Sequence, residues 1–148
     1  MDSPSRPRPG PAPSDTGLRP WGRPLCWVDS ITEAASHGSG EVVVSGSHGG
    51  LSAARYALQA RPHLVVFNDA GIGKDGAGIA ALDWLQQHGV AALAVAHHSA
   101  RIGEAASTWQ DGLISAANEA AQALGARAGQ PLQGWLRSVS REAGVSGW

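Results

Sequence analysis

Short apolar runs alternate with helical patterns along most of this chain, and no other feature constrains its fold as strongly. Residues 41–45, 63–68 and 90–96 are strand-like runs rich in Val, Leu and Ala, and residues 26–31 could form a first strand. The runs are continuously apolar, which is typical of strands that are covered on both faces. Strands separated by helices indicate parallel β-α-β units. The sequence therefore predicts an α/β fold, a small three-layer α/β/α sandwich with a mainly parallel sheet of about four strands.

Four helical segments are predicted between and after these strands, from the spacing of their apolar residues and from their end signals. These segments are Leu51–Ala60 and residues 77–88, 103–110 and 115–124. Ser115 is expected to cap the last of them, because a serine oxygen can accept a hydrogen bond from a free N–H of the first turn. Gly125 is expected to end it in a left-handed conformation.

The two ends of the chain differ from its middle, and this difference sets the expected domain limits. Seven of the nine prolines fall in residues 1–25, with little to bury. Such a segment cannot offset the entropy cost of ordering, so we expect a disordered, proline-rich tail there. Residues 26–129 are the expected α/β domain. In residues 130–148, Trp135 belongs to an apolar pattern that could form a helical arm docked on a neighbouring subunit, so we expect a homo-oligomer.

Charge and composition exclude several classes of function. The formal net charge is −1, so no electrostatic attraction to nucleic acid is expected. No run approaches the roughly 20 apolar residues that cross a bilayer, and none marks a signal peptide. We therefore expect a soluble cytoplasmic protein without a membrane partner. Cys26 is the single cysteine, which excludes an intrachain disulfide, and its place in a strand favours a buried structural thiol.

Polar loops follow three of the predicted strands, and we expect the functional site there. Ligands of open parallel sheets bind outside the carboxyl ends of the strands, and all loops that follow parallel strands lie at that edge. Glycines let a ligand approach the backbone, and helix N-termini favour anions. The three loops are residues 45–50 (SGSHGG), 68–76 (NDAGIGKDG) and 97–103 (HHSARIG).

The first loop resembles the nucleophile elbow of α/β-hydrolases. A valine-rich strand leads into residues 45–49 (SGSHG), and a helix follows, as in the strand–turn–helix arrangement of that motif. The resemblance covers residues 41–71 and does not extend along the rest of the chain. It implies that Ser47 is a nucleophile and that the backbone N–H of His48 contributes to an oxyanion hole. The alternative is a glycine-rich turn in which Ser47 only caps the helix.

The second loop is similar to two nucleotide-binding motifs. Residues 71–76 (GIGKDG) have the G-x-G-x-x-G spacing of the dinucleotide-binding fingerprint of Rossmann folds, and Lys74 resembles the lysine of a phosphate-binding P-loop. Lys74 is also the only lysine in the chain. These resemblances imply a nucleotide or a phosphate over the glycines. The alternative is that Asp69 and Asp75 only shape turns by bonding to their own backbone.

The third loop adds imidazole and guanidinium groups. The alternation of a strand would send His97 and His98 to opposite sides, so only one of them is expected to face the site. Arg101 is suited to binding a carboxylate or a phosphate at two points. No metal and no cofactor are predicted, because no close ligand spacing links the available groups of His48, Asp69 and His98.

The leading hypothesis is a small-molecule enzyme, a hydrolase or related acid–base catalyst, that acts on a small anionic or amide-containing metabolite at the carboxyl edge of the sheet. The alternatives are a non-catalytic nucleotide- or phosphate-binding protein and a subunit of a larger enzyme. The residues predicted to carry out the chemistry are Ser47, His48, Asp69 and His98. The residues predicted to bind the substrate are Ser45, Gly49, Asn68, Gly73, Lys74, Asp75, Ser99 and Arg101.

Overall fold

The computed structural model describes residues 17–36 and 39–142, and their arrangement is a mixed α/β fold. The strands are β1 (Leu18–Pro20), β2 (Leu25–Val28), β3 (Val42–His48), β4 (Leu64–Asn68), β5 (Ala91–Val95), β6 (Ile114–Ala117) and β7 (Ser140–Glu142). The α-helices are α1 (Leu51–Ala60), α2 (Ala80–Gln87), α3 (Ala105–Asp111), α4 (Glu119–Ala123) and α5 (Leu132–Ser138). Two 3₁₀ segments, Ile31–Ser36 and Lys74–Ile79, complete the described elements.

The central sheet has five strands in the order β2-β3-β4-β5-β6. The first four are parallel, and β6 pairs antiparallel with β5 at one edge. This confirms the predicted α/β class with a mainly parallel sheet. The strand count is one higher than the predicted number, because β6 lies where the sequence suggested the start of a helix.

The two faces of the sheet carry separate cores, which confirms the three-layer arrangement. On one face, α1 and α2 pack on side chains such as Val43 and Phe67. On the other face, α3 and α5 bring Trp109 and Leu136 against Val44 and other strand residues. Neighbouring residues such as Val43 and Val44 therefore serve different cores, because successive side chains of a strand point to opposite faces.

The expected helix over residues 115–124 is wrong in its first half. Residues 114–117 form β6, in which Ala117 pairs with Leu93 of β5, and the helix α4 begins only after Asn118. The Asn118 side chain accepts a hydrogen bond from the N–H of Ala121 at 2.9 Å and is the actual cap. An alanine-rich segment has high helix propensity, but pairing with a buried neighbouring strand overrides it.

The chain crosses over the carboxyl edge of the sheet between β5 and α3. The helices between the consecutive parallel strands lie on one face, whereas α3 lies on the other, so residues 97–104 pass over the strand ends. The N–H of Gly103 donates to the carbonyl of Gly46 at 2.6 Å, and the N–H of Ala105 donates to the carboxylate of Asp29 at 2.9 Å. A Cβ on Gly46 would come closer than 3.0 Å to this crossing backbone, which explains the glycine.

The structure places an ordered segment before the domain boundary expected at residue 26. The strand β1 pairs antiparallel with β7, and Leu18 within it is buried. The Trp21 ring makes an edge contact with the Trp135 ring, with centroids 5.5 Å apart. Residues 1–16 of the expected tail lie outside the described part of the chain.

Within the expected C-terminal arm, the helix α5 is followed by the strand β7, and the helix packs on its own chain. Leu132, Trp135 and Leu136 of α5 are buried in the core that also contains Trp109. These side chains therefore give no support to a contact with a neighbouring subunit. Residues 143–148 of the arm lie outside the described ranges. Among the helices that are described, none has the length and apolar character needed to cross a membrane.

Candidate functional site

The serines of the first loop bind neighbouring backbone. Ser45 is fully buried, and its hydroxyl donates to the carbonyl of Val66 at 2.6 Å. Ser47 lies within β3, and its Oγ accepts a hydrogen bond from the N–H of Ile31 at 2.8 Å. Ser47 thus holds the start of the 3₁₀ segment Ile31–Ser36 against the strand. Its role as a nucleophile stays a prediction.

The rest of the first loop packs beneath the 3₁₀ segment Lys74–Ile79. The buried N–H of Gly49 lies 3.1 Å from both the Asn68 and Gly78 carbonyl oxygens, so it is already hydrogen-bonded within the chain. His48 is exposed, and its imidazole folds over Gly50, where a Cβ would approach the ring to 2.9 Å.

Asp69 is the most heavily bonded side chain at the carboxyl edge. The residue is 4 % exposed, and its carboxylate Oδ1 accepts from the N–H groups of Gly71 at 2.7 Å and His97 at 3.0 Å. Oδ2 accepts from the Ser115 hydroxyl at 2.7 Å. The Nδ1 atom of His97 lies 3.5 Å from Oδ1.

The electrostatics of Asp69 favour its ionised form. Burial acts to raise the pKa of this carboxyl group, but it is outweighed by the Ser115 hydroxyl, the N–H groups of Gly71 and His97, and the His97 imidazole. The pKa of Asp69 therefore lies below its ordinary value of 3.8. Its oxygens are engaged with several donors, so Asp69 is suited to orienting His97 rather than to attacking a substrate.

Asn68 ties the second loop to the third. It is fully buried at the end of β4, where its Nδ2 donates to the carbonyl of Ala100 at 3.0 Å. Its Oδ1 accepts from the N–H of Ala70 at 2.8 Å. Asn68 is therefore a brace between two loops, with both ends of its amide already used.

The second loop contains four consecutive residues in the left-handed region. The φ angles are 51° at Ala70, 79° at Gly71, 67° at Ile72 and 75° at Gly73. A β-branched residue such as Ile72 is strained there, by about 1–2 kcal/mol. Asp69 maintains this turn, since its carbonyl accepts from the N–H of Ile72 at 2.6 Å in addition to the side-chain bond to Gly71. Such strain is concentrated at functional sites in proteins.

Two charged residues follow this turn. Lys74 is exposed at the start of the 3₁₀ segment Lys74–Ile79. The side chain of Asp75 lies outside the described part of the structure, and the substrate-binding role predicted for it stays a prediction.

The third loop and α3 form an open pocket of about 480 Å³. Its lining residues are His97, His98, Ser99, Ala100, Arg101, Ile102, Ser107 and Asp111. A volume of this size is sufficient for a small metabolite. The pocket lies at the carboxyl edge, where the loops were expected to converge.

His97 and His98 both line this pocket, whereas the alternation of a strand would place only one of them at the site. The His97 and His98 rings make an edge contact with centroids 5.6 Å apart. The strand β5 ends at Val95, and the two histidines lie in the following turn, where strand alternation no longer applies. His97, whose side chain is 55 % exposed, is the one that contacts the carboxylate of Asp69.

The remaining pocket groups are polar or charged. The Ser99 hydroxyl donates to the Ala96 carbonyl at 2.6 Å and accepts from the Leu113 N–H at 3.0 Å, so it holds the loop. The Arg101 side chain is 81 % exposed, and its guanidinium lies 3.9 Å from the Glu104 carboxylate. This exposed pair contributes little to stability and leaves the guanidinium accessible to a ligand.

The predicted site residues thus fall into two groups. His98, Ser99 and Arg101 share one pocket, with Asp69 behind it through His97. The others are set apart from that lining: Ser45, Ser47, His48, Gly49, Asn68, Gly73 and Lys74.

The sequence did not single out Ser107, Asp111 or Ser115, and it favoured His98 rather than His97 as the catalytic imidazole. Ser115 was interpreted as a helix cap, and nothing local indicated its bond to an aspartate 46 residues away. Ser107 and Asp111 did carry a signal. They lie four residues apart and share one face of α3, although the predicted helix over residues 103–110 ended one residue before Asp111.

A second cavity, of about 350 Å³, lies between α2 and β6. Its lining is mostly small and apolar, and its one amide side chain, Asn118, is already bonded to the carbonyls of Leu82 and Val90 and to the N–H groups of Ala92 and Ala121. This cavity offers fewer free polar groups to a ligand than the first pocket.

Cys26 is a structural thiol, as expected. It is 3 % exposed, and burial, followed by the Glu41 and Glu33 carboxylates, raises its pKa to about 12. In residues 17–36 and 39–142, no three His, Cys, Asp or Glu side chains are grouped as the ligands of a metal ion would be. No protein-family model matches the chain, and no curated protein or solved structure matches it either.

Proposed function

We propose that this chain is an acid–base enzyme that acts on a small polar metabolite bound in the pocket between the third loop and α3. The observation that supports this most is the pairing of a buried, ionised carboxylate with an exposed imidazole. Nδ1 of His97 lies 3.5 Å from Asp69 while half of the side chain remains open to the pocket. A carboxylate at one ring nitrogen orients the imidazole and leaves the other nitrogen free to exchange a proton.

The neighbouring groups fit this chemistry. Arg101 supplies a planar cation that binds a carboxylate or phosphate of the substrate. The second imidazole, His98, lies beside His97 and can donate or accept a further proton. Hydrolysis of an amide or ester is one reaction that needs such a proton-transferring pair.

The function is tested by exchanging the imidazole that contacts Asp69. A panel of small carboxylates, amides and phosphate esters is screened for turnover by the full chain. For any substrate found, His97→Gln is expected to lower kcat/KM by about 10²–10⁴-fold, as loss of a general acid or base does.

The matched control is His88→Gln. His88 is an exposed histidine that follows α2, where its Nδ1 bonds the Trp84 carbonyl at 2.8 Å, away from the carboxyl edge. This variant should keep the full rate. Full activity of His97→Gln would overturn the proposed role, and specific binding without any turnover would favour a non-catalytic binding protein.

A further inference from the structure

Two opposite charges line the same pocket without neutralising each other. Arg101 and Asp111 are both lining residues and both exposed. The only carboxylate described within ion-pair distance of Arg101 is that of Glu104 at 3.9 Å, and Asp111 has no ion-pair partner among the described residues. A ligand that carries only a negative charge would satisfy the guanidinium and be repelled by the carboxylate.

The backbone positions of these two charged residues are related through α3. The backbone N–H of Arg101 donates to the hydroxyl oxygen of Ser107 at 3.0 Å, so the loop is anchored at that point of the helix. Asp111 lies four residues further along α3, on the same face and about 6 Å away. The backbone positions that carry the Arg101 and Asp111 side chains are therefore about one helical turn apart.

We infer that the ligand of this pocket is a small zwitterion of dipeptide size, with its carboxylate at Arg101 and its ammonium group at Asp111. This inference rests on the pocket of the proposed function. The terminal charges of an extended dipeptide are separated by about two residue lengths, roughly 6–7 Å, whereas those of a free α-amino acid are much closer together. Ser107 also lines the pocket, and its hydroxyl, whose oxygen accepts from the Arg101 N–H, can donate its hydrogen to the polar middle of such a ligand.

The inference is tested by calorimetric or NMR titration of the full chain with glycylglycine. Three further probes are compared with it: N-acetylglycylglycine, which lacks the cation, glycylglycinamide, which lacks the anion, and glycine, whose charges are too close. Glycylglycine is expected to bind about two- to fivefold more tightly than each of the others, since exposed charge pairs contribute up to about 1 kcal/mol.

Two variants assign the charges. Arg101→Gln should reduce glycylglycine binding to the level of glycylglycinamide, and Asp111→Asn should reduce it to the level of N-acetylglycylglycine. Arg55→Gln and Asp83→Asn change exposed charges on α1 and α2 and should leave binding unchanged. Equal affinity for the blocked probes, no glycylglycine binding at millimolar concentration, or no effect of either pocket variant would overturn the inference.

The outcomes also separate this inference from the proposed function. If the four probes and the two pocket variants bind as expected but no substrate is turned over, the zwitterion inference is supported and the enzymatic role is wrong. If His97→Gln abolishes turnover of a substrate that lacks one of the two charges, the enzymatic role stands and the zwitterion fails.

Discussion

Asp69 shows how one side chain connects folding to the candidate chemistry. Its carboxylate holds the left-handed turn through Gly71, the third loop through His97 and the edge strand through Ser115. Each of these is a hydrogen bond to a charged acceptor in a buried position, where such bonds are strongest. The same contacts that stabilise the loops thus fix the imidazole proposed to transfer protons.

Asp69→Asn is expected to lower the free energy of unfolding at neutral pH by about 1–3 kcal/mol, because it removes a charged acceptor from several donors. The pKa of Asp69 is lower in the folded state than its ordinary value of 3.8. The carboxylate therefore stabilises the fold fully above pH 3.8, and this stabilisation is lost as the pH falls through the folded-state pKa. Urea unfolding at neutral pH and near pH 2 measures both effects.

The control for this prediction is Asp83→Asn, at an exposed aspartate of α2. It should change stability by less than about 0.5 kcal/mol. The loss of stability in Asp69→Asn should be smaller in acid than at neutral pH. An equal loss at both pH values would show that the ionised carboxylate is not the cause of the loss.

At the scale of elements, the turn Ala70–Gly73 stores strain beside the candidate site. Ile72 occupies a conformation that branched residues avoid, with a φ of 67°. The residue is 38 % exposed, so the packing of its side chain offsets little of this strain. Ile72→Asn should therefore stabilise the fold by about 1 kcal/mol, since asparagine tolerates the left-handed region. Thermal or urea unfolding measures the gain.

Ile102→Asn is the comparison for that substitution. Ile102 is 53 % exposed in the third loop and is not among the residues of positive φ. Ile102→Asn makes the same change of side chain without relieving backbone strain, so no gain in stability is expected. An equal gain from both substitutions would mean that the backbone of Ile72 is not strained.

The elements that could be predicted from the sequence are those with strong local patterns. The strands β3, β4 and β5 are unbroken apolar runs, and α1 was predicted with the limits that it has in the structure. The strand β6 was missed because its residues favour a helix in isolation. The strands β1 and β7 are three residues each and pair across most of the chain, which no local pattern reveals.

The candidate site divides in the same way. The rule for parallel strands predicted that His98, Ser99 and Arg101 lie at one edge, and the three residues line one pocket there. The partners of Ser47 and Asp69 could not be predicted, because Ile31 and Ser115 reach them only through tertiary packing. The sequence therefore predicted an edge of the sheet, and the hydrogen bonds show which side chains there are engaged by the fold.

At the scale of the whole molecule, the two ends of the described chain pack together against the core that contains Trp109. The Trp21 ring packs between those of His63 and Trp135, with centroid distances of 5.0 and 5.5 Å, and β1 pairs with β7 beside them. Residues 17–25 are therefore part of the fold, and a chain that lacks them would lose this packing.

Trp21→Ala is expected to lower the free energy of unfolding by about 2 kcal/mol, because a half-buried aromatic side chain is removed from the core. Tyr56→Ala is the control, since Tyr56 is an aromatic residue of α1 that is 40 % exposed. Its loss should cost less than about 1 kcal/mol. Both variants are measured by denaturant unfolding. Equal losses of unfolding free energy would contradict the proposed packing of Trp21 in the core.

The central claim is that ligands bind at the carboxyl edge, in the pocket that contains His97. Its most direct test is the map of amide chemical-shift changes when the full chain is titrated with any compound found to bind or react. The largest changes are expected at His97, His98, Ser99, Arg101, Ser107 and Asp111, which line one pocket. Changes confined to the second cavity, around Gly76, Asp83 and Ala116, would contradict the account.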